Sequence, residues 1–189
     1  MDLYVVVIAL VVMAGAALVQ GTVGLGFAIV AVPILSIVHP DLTPVPQLIA
    51  GLPLTLGMAW RERRDMDLHG IGWIVLGRLP GAALGLYLIA IASRDTLNLL
   101  IAFFVLGAVA IIATGFHLRR TSFTKFIAGW AAGTSGMVSS IGGPPIALLY
   151  TSEEAATIRS TLAAIFSIGV TMTLAFRALT GHITMTDVQ

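Results

Sequence analysis

The sequence has no cysteine and few charged residues, and both absences restrict what the chain can be. Asp, Glu, Lys and Arg make up 10% of its 189 residues, against 58% hydrophobic residues and a mean hydropathy of +1.00. A soluble protein is normally about a quarter charged, so we expect lipid to be the main solvent. The lack of cysteine excludes disulfides, thiolate metal sites and cysteine nucleophiles. The net charge of +1 indicates no nucleic-acid partner.

The titratable residues that remain do not form a metal site. His39, His69, His117 and His182 all lie in or beside predicted loops. None has another histidine or a carboxylate at metal-ligand spacing, so we predict no metal and no cofactor. Asp and Glu are absent from the apolar stretches apart from their ends. No proton-coupling carboxylate is therefore visible.

Polar clusters divide the chain into six apolar stretches that approach or exceed the roughly 20 residues a spanning helix needs. The stretches cover about 3–38, 42–60, 70–92, 96–116, 123–150 and 156–180. The first lacks the basic start of a signal peptide, so we interpret it as a retained segment. The expected fold is an all-α, polytopic transmembrane helical bundle in the cell membrane. The first and fifth stretches are too long for one straight crossing, so each is predicted to be a broken or re-entrant helix.

The basic residues predict an orientation, provided that every stretch crosses once. The loops at 61–67 and 117–125 and the tail after Arg177 would then share one side and hold most of the Lys and Arg. Only Arg94 and Arg159 would lie on the other side. Positive loops favour the cytoplasm, which places the N-terminus there too. The assignment fails if a broken stretch returns to its own side.

Two glycine-broken segments repeat at a spacing of 112 residues. Residues 21–34 and 133–146 align without a gap and share six of fourteen residues, among them Gly21/Gly133, Thr22/Thr134, Gly24/Gly136, Ile29/Ile141, Pro33/Pro145 and Ile34/Ile146. Matching interrupted segments in two halves indicate a transport site. The likeness of 59–61 to 175–177 extends the register. We therefore predict two related halves, 1–118 with four segments and an incomplete 119–189, which lacks about two spans. A homo-oligomer is one way to complete it.

The second broken segment offers the better predicted site. Unpaired backbone groups in hydrocarbon cost several kcal/mol each, so a break persists only where it is buried in protein or lines a cavity. A half-helix from Ile146 to Tyr150 is expected to present its N–H groups to that break. Side-chain hydroxyls on the other arm add donors for a small anion. The predicted residues are Thr134, Ser135, Ser139, Ser140, Gly142, Gly143, Pro144 and Pro145.

The first half supplies a poorer copy of the same site. Its candidates are Thr22, Gly24 and Gly26, with Pro33 restarting a helix and Gln20 and Gln47 as amide donors. The alternative is that the small residues only let helices pack closely.

Arg78 is the remaining candidate, because it lies eight residues after Gly70 inside the third stretch. An ionisable residue inside a membrane is a functional candidate. The alternative is that its side chain snorkels to the interface.

These motifs resemble the sulfite exporter TauE/SafE family of membrane permeases. The resemblance is carried by the run 20–27 with Pro33, by Gly133-Thr134-Ser135-Gly136 followed by 141–145, by 158–161 and by 78–85. It implies two related halves, about eight spans and transport of small sulfur-containing or organic anions. By this comparison the chain is expected to lack the last two spans of that pattern.

Two other functions compete with an anion permease. One is a non-transporting membrane subunit or truncated remnant, suggested by the missing spans. The other is an intramembrane serine protease of the rhomboid type, because Gly133-Thr134-Ser135-Gly136 fits Gly-x-Ser-Gly and His182 lies downstream. The repeat argues against the protease, since Val23 occupies the position equivalent to Ser135. We therefore predict a permease and no enzyme.

Overall fold

The computed structural model describes residues 3–43, 45–114, 119–150 and 153–180, and the regular structure in these ranges is helical throughout. This confirms the all-α prediction. The α-helices are α1 (Leu3–Val23), α2 (Phe27–Val38), α3 (Val45–Arg61), α4 (Leu68–Ile91), α5 (Arg94–Thr114), α6 (Ser122–Ser139), α7 (Pro144–Ala147) and α8 (Ala155–Leu179). Short 3₁₀ turns at Pro40–Leu42 and Arg63–Asp65 precede α3 and α4. His117 and His182 lie outside the described residues.

Three of the described helices are long and apolar enough to cross a membrane. They are α1 with 21 residues, α4 with 24 and α8 with 25. Helix α2 is apolar but has only 12 residues, as expected for one arm of a broken segment. The described residues therefore contain three candidate membrane spans, and the count of six remains a prediction.

The first predicted break lies between α1 and α2. Gly24 and Gly26 have φ angles of 92° and 131°, a region that glycine adopts without the steric cost of a β-carbon. The Phe27 N–H, which opens α2, donates to Gln20 Oε1 at 3.0 Å, so α2 folds back on α1 as a hairpin. Pro33 lies inside α2. The prediction that Pro33 restarts a helix was therefore wrong, because the glycine turn has already done so.

The second predicted break lies between α6 and α7. Ser140 ends α6 in the left-handed conformation at φ 62°, and α7 begins at Pro144, as a missing N–H permits in a first turn. The predicted half-helix from Ile146 to Tyr150 is shorter than expected, since α7 has four residues and ends at Ala147. Beyond it, Glu153 pairs with Arg120, which precedes α6. The α6–α7 segment therefore returns to the end at which it started.

Helices α4 and α6 run parallel and approach each other closely. A β-carbon built on Gly129 would lie 2.1 Å from the Ile74 carbonyl oxygen, and one on Gly85 would lie 2.5 Å from Met137 Cβ. Early residues of α4 therefore face early residues of α6, and late residues face late ones. Small residues permit such close backbone contact between membrane helices.

Helix α8 begins at the same end as α4 and α6. Just before α4, the Asp67 N–H donates to Thr161 Oγ1 in the second turn of α8. We call this the basic end, because Arg159 and Glu62 form an ion pair there at 3.2 Å and most basic residues are grouped with them. Its basic residues are Arg61, Arg63, Arg64, Arg119, Arg120, Lys125 and Arg159.

The assumption that every stretch crosses once was therefore wrong. Arg159 belongs to the basic end, whereas Arg177 lies at the opposite end, where it donates to the Met137 carbonyl in the last turn of α6. The end of α1 reaches the basic end, since a β-carbon on Gly24 would lie 2.9 Å from Arg159 Cα. The first residues of α1 thus lie at the opposite end, because α1 is one continuous helix of 21 residues.

Candidate functional site

A cavity of about 70 Å³ lies where the two breaks meet. Gly26 and Phe27 line it from the first break, and Ser140, Gly142 and Gly143 line it from the second. Helices α3, α4 and α8 supply the rest of the wall. One water needs roughly 10–15 Å³ on this measure, so the cavity has space for about five to seven water molecules. A small anion fits into that space.

Arg78 is the one ionisable side chain among the described residues that line this cavity. The residue is only 5% exposed, and its Nη1 atom is buried without a hydrogen-bond partner among the described residues. Its position inside the bundle argues against snorkelling to the interface. The other buried or half-buried arginines in the described ranges differ from it, since Arg159 and Arg177 each have an acceptor. Arg78 therefore brings an unpaired positive charge to the wall.

Three glycines leave the space that the Arg78 guanidinium occupies. A β-carbon on Gly169 of α8 would lie 2.1 Å from Nη2 of Arg78. One on Gly136 or on Gly142 would lie 3.4 Å from the same atom. The guanidinium therefore fits between α6, the second break and α8, because the glycines at these three places have no side chain.

Neutral polar groups surround the charge. Gln20, Gln47, Ser140 and Thr173 are at least nine-tenths buried, and all four line the cavity. Gln20 uses Oε1 to accept the Phe27 N–H, which leaves its NH₂ group available. The Gln47 Oε1 is buried and has no partner among the described residues. The wall thus carries side-chain amides with hydrogen-bonding capacity to spare, next to two hydroxyls.

The rest of the wall is apolar. The residues that form it come from both broken segments, α3 and α8, namely Leu25, Phe27, Ala28, Ile29, Leu48, Ile141, Phe166 and Val170. The Phe166 ring lies against the second break, 3.1 Å from the position of a β-carbon on Gly143. A ligand here would meet one charged side chain, a few neutral donors and a large hydrophobic surface.

Comparison with known proteins places the chain in a family. The model of the family described as Sulfite exporter TauE/SafE matches residues 7–188. The chain belongs to the TauE/SafE family. The match includes both breaks and the cavity, and the family implies a membrane transporter of sulfite-type anions. No curated protein and no solved structure matches the chain.

Seven of the residues predicted as a site line the cavity of this TauE/SafE protein. They are Gln20, Gly26, Gln47, Arg78, Ser140, Gly142 and Gly143. The cavity therefore unites candidates from both broken segments with the arginine of α4. Their role in binding stays a prediction.

The other predicted residues lie outside the cavity wall. The hydroxyls of Thr134, Ser135 and Ser139 each donate to the backbone carbonyl four residues earlier in α6. Thr22 donates to Leu18 and Val19 carbonyls in the same manner. These protons are engaged within helices, so the geometry gives them no part in the cavity. Gly24 packs on Arg159, and Pro144 and Pro145 form the first turn of α7.

The sequence reasoning missed the contribution of α8. Phe166, Val170 and Thr173 line the cavity at spacings of four and three residues, and Gly169 opens space for the arginine. This spacing is that of one helix face. The signal was present as Gly169, the single glycine of α8, which is buried and lies between Phe166 and Thr173 along that face.

The protease alternative finds no support in this geometry. Ser135 Oγ is buried and donates to the Ala131 carbonyl at 2.9 Å, and a nucleophile needs a base within hydrogen-bond reach. The two histidines in the described ranges lie at helix ends, because His39 directly follows α2 and His69 is the second residue of α4. The hydrogen bond of Ser135 Oγ goes to neither of them. No group of three His, Asp or Glu that could hold a metal occurs in these ranges either.

Proposed function

We propose that this TauE/SafE protein is a permease whose anion binds in the cavity against Arg78. The observation that carries the proposal is the guanidinium at the cavity wall, whose buried Nη1 has no partner among the described residues. An uncompensated buried charge is costly by several kcal/mol, and ionisable residues inside a membrane mark substrate paths. A small anion would supply the missing negative charge and accept the spare N–H groups.

In this proposal the charge of Arg78 attracts the anion, whereas the sequence analysis expected the N-terminus of a half-helix to do so. Helix α7 has only four residues, and a macrodipole requires a run of aligned peptide units. The break contributes in another way, because Gly142 has no side chain to displace the guanidinium beside it. The anion would therefore lie between a fixed charge and the exposed backbone of the break.

The two hairpins support a transport cycle rather than simple binding. The α1–α2 hairpin comes from the end opposite the basic end, and the α6–α7 hairpin comes from the basic end. They meet at the cavity, where Leu25 Cβ lies 4.0 Å from the β-position of Gly143. Hairpins of opposite direction around one site are typical of transporters built from inverted repeats. This favours the two-halves prediction, and relative motion of the hairpins would expose the anion to each side in turn.

The proposal is tested by anion flux in proteoliposomes. Arg78→Gln removes the charge but keeps a polar side chain, so we expect sulfite flux to fall at least about tenfold, the equivalent of 1.4 kcal/mol. Arg78→Lys should keep part of the activity, because it keeps the charge but loses the planar fork. Arg64→Gln is the matched control, since Arg64 is exposed at the basic end.

Equal flux in wild type and Arg78→Gln would overturn the assignment of the site. Anion binding without flux in the wild type would instead favour the non-transporting subunit.

A further inference from the structure

The cavity wall is asymmetric in charge and in polarity. Its described residues include one arginine and no aspartate, glutamate, lysine or histidine. Its polar residues are Arg78 with neutral amides and hydroxyls, and aromatic and aliphatic side chains form the rest. A ligand that matches this lining has one negative group and one apolar group.

From this wall we infer that the cavity selects singly charged organic anions, and rejects both dianions and zwitterions of the same size. The ligand would be a sulfonate or carboxylate with a short apolar group. The inference rests on the proposed function, because it concerns the same cavity.

A dianion would leave one charge without compensation. Arg78 balances a single negative charge, and the remaining polar groups on the wall are neutral amides and hydroxyls. Moving a charge from water into a low-dielectric site is unfavourable unless an opposite charge meets it. The second charge would instead face side chains such as Phe27 and Phe166.

A zwitterion fails for the opposite reason, since its ammonium group finds no anion. In the described residues, Glu62, Asp67 and Glu153 lie at the basic end, where each pairs with an arginine. The wall offers the ammonium only neutral oxygens such as the Gln47 Oε1. Its own positive charge would also lie within a few ångströms of the guanidinium.

The apolar part of the wall favours a short organic group on the anion. Phe27, Phe166 and Val170 line the cavity together with the polar residues. Burial of a few carbon atoms against these side chains adds favourable free energy.

Two pairs of isosteric ligands test the inference on the purified protein in lipid nanodiscs. Methanesulfonate and sulfate have the same number of non-hydrogen atoms and differ in charge. 1-Propanesulfonate and taurine differ by a methyl group in place of an ammonium group. In a chloride-free buffer, titration calorimetry should show methanesulfonate binding at least about tenfold more tightly than sulfate, and 1-propanesulfonate at least about tenfold more tightly than taurine.

The Arg78→Gln variant separates failure of this inference from failure of the proposed function. We expect it to lose methanesulfonate binding at least about tenfold. If the wild type requires Arg78 but binds sulfate or taurine as tightly as the matched monoanion, the selectivity is refuted and the permease site stands. If methanesulfonate binds equally well without Arg78, or not at all to the wild type, both the site and the selectivity are overturned.

Discussion

Gly169 lies where α8 passes the Arg78 guanidinium, and the guanidinium occupies the space that a side chain at this position would fill. A β-carbon there would lie 2.1 Å from Nη2 and 2.2 Å from Cζ of Arg78. These atoms are at the far end of a flexible side chain, so the guanidinium can move away at little cost to the fold. A single methyl group at this position would therefore displace the charge while the helix remains packed.

Gly169→Ala should consequently impair anion binding without unfolding the protein. We expect methanesulfonate affinity to fall at least about tenfold, with a thermal midpoint close to that of the wild type. The control is Gly72→Ala in α4, since a β-carbon on Gly72 meets no atom within 4 Å. Unchanged affinity in Gly169→Ala would show that the position of the guanidinium is unimportant.

Individual residues also show which site features the sequence can predict. Arg78 was identifiable because a charge within an apolar stretch is exceptional in hydrocarbon. The hydroxyls of Thr134, Ser135 and Ser139 were less informative, because serine and threonine inside a helix bond their own i−4 carbonyl. Once α6 is known to continue to Ser139, their donors are already used. The contribution of Thr173 depends on how α8 packs, which no local pattern encodes.

At the level of the helices, α4 and α6 are joined by glycines spaced four residues apart. Gly77 and Gly81 of α4 face backbone atoms of α6, and Gly129 and Gly133 of α6 face backbone atoms of α4. Their β-positions lie 2.1–2.6 Å from carbonyl oxygens of the partner helix. Packing and close backbone contact drive helix association in lipid. For Gly133, which belongs to the repeated motif, close packing thus explains the glycine.

Gly81→Ala should destabilise this helix pair, because its β-carbon would lie 2.1 Å from the Trp130 carbonyl oxygen. Backbone cannot yield as a flexible side chain does, so we expect a loss of about 1–3 kcal/mol of unfolding free energy. Denaturant titration in detergent micelles measures it. Gly72→Ala on the same helix should be neutral or slightly stabilising, since alanine is the better helix former. Similar stability of the two variants would contradict the proposed tight contact.

The chain direction of these elements is where sequence reasoning was weakest. The stretches 42–60 and 156–180 correspond closely to α3 and α8, because apolar length alone locates helices in a membrane protein. Whether a broken stretch crosses or turns back depends on contacts between distant residues. Glu153 with Arg120 and Asp67 with Arg120 form such contacts. Neither pair is encoded by a local pattern, so the orientation derived from loop charges assigned Arg159 and Arg177 to the wrong ends.

For the whole molecule, the returning α6–α7 segment makes a prediction about sidedness. The chain has no cysteine, so single cysteines can be introduced without removing any native thiol. The variants Arg64→Cys, Arg119→Cys and Glu154→Cys each place a thiol at the basic end. Ser93→Cys places one at the opposite end, between the last residue of α4 and the first residue of α5. A membrane-impermeant maleimide should label the first three from one side and the fourth from the other.

The comparison of Arg119→Cys with Glu154→Cys decides the matter, because these residues flank the α6–α7 segment. If that segment crossed the membrane once, they would be labelled from opposite sides, and the convergence of the two hairpins on the cavity would be refuted. Labelling from the same side means that α8 must make the crossing that follows. Since positive loops favour the cytoplasm, we expect this shared side to be cytoplasmic, with reagent reaching both residues only in inverted vesicles. The α1 N-terminus would then face the outside, because α1 runs toward the basic end.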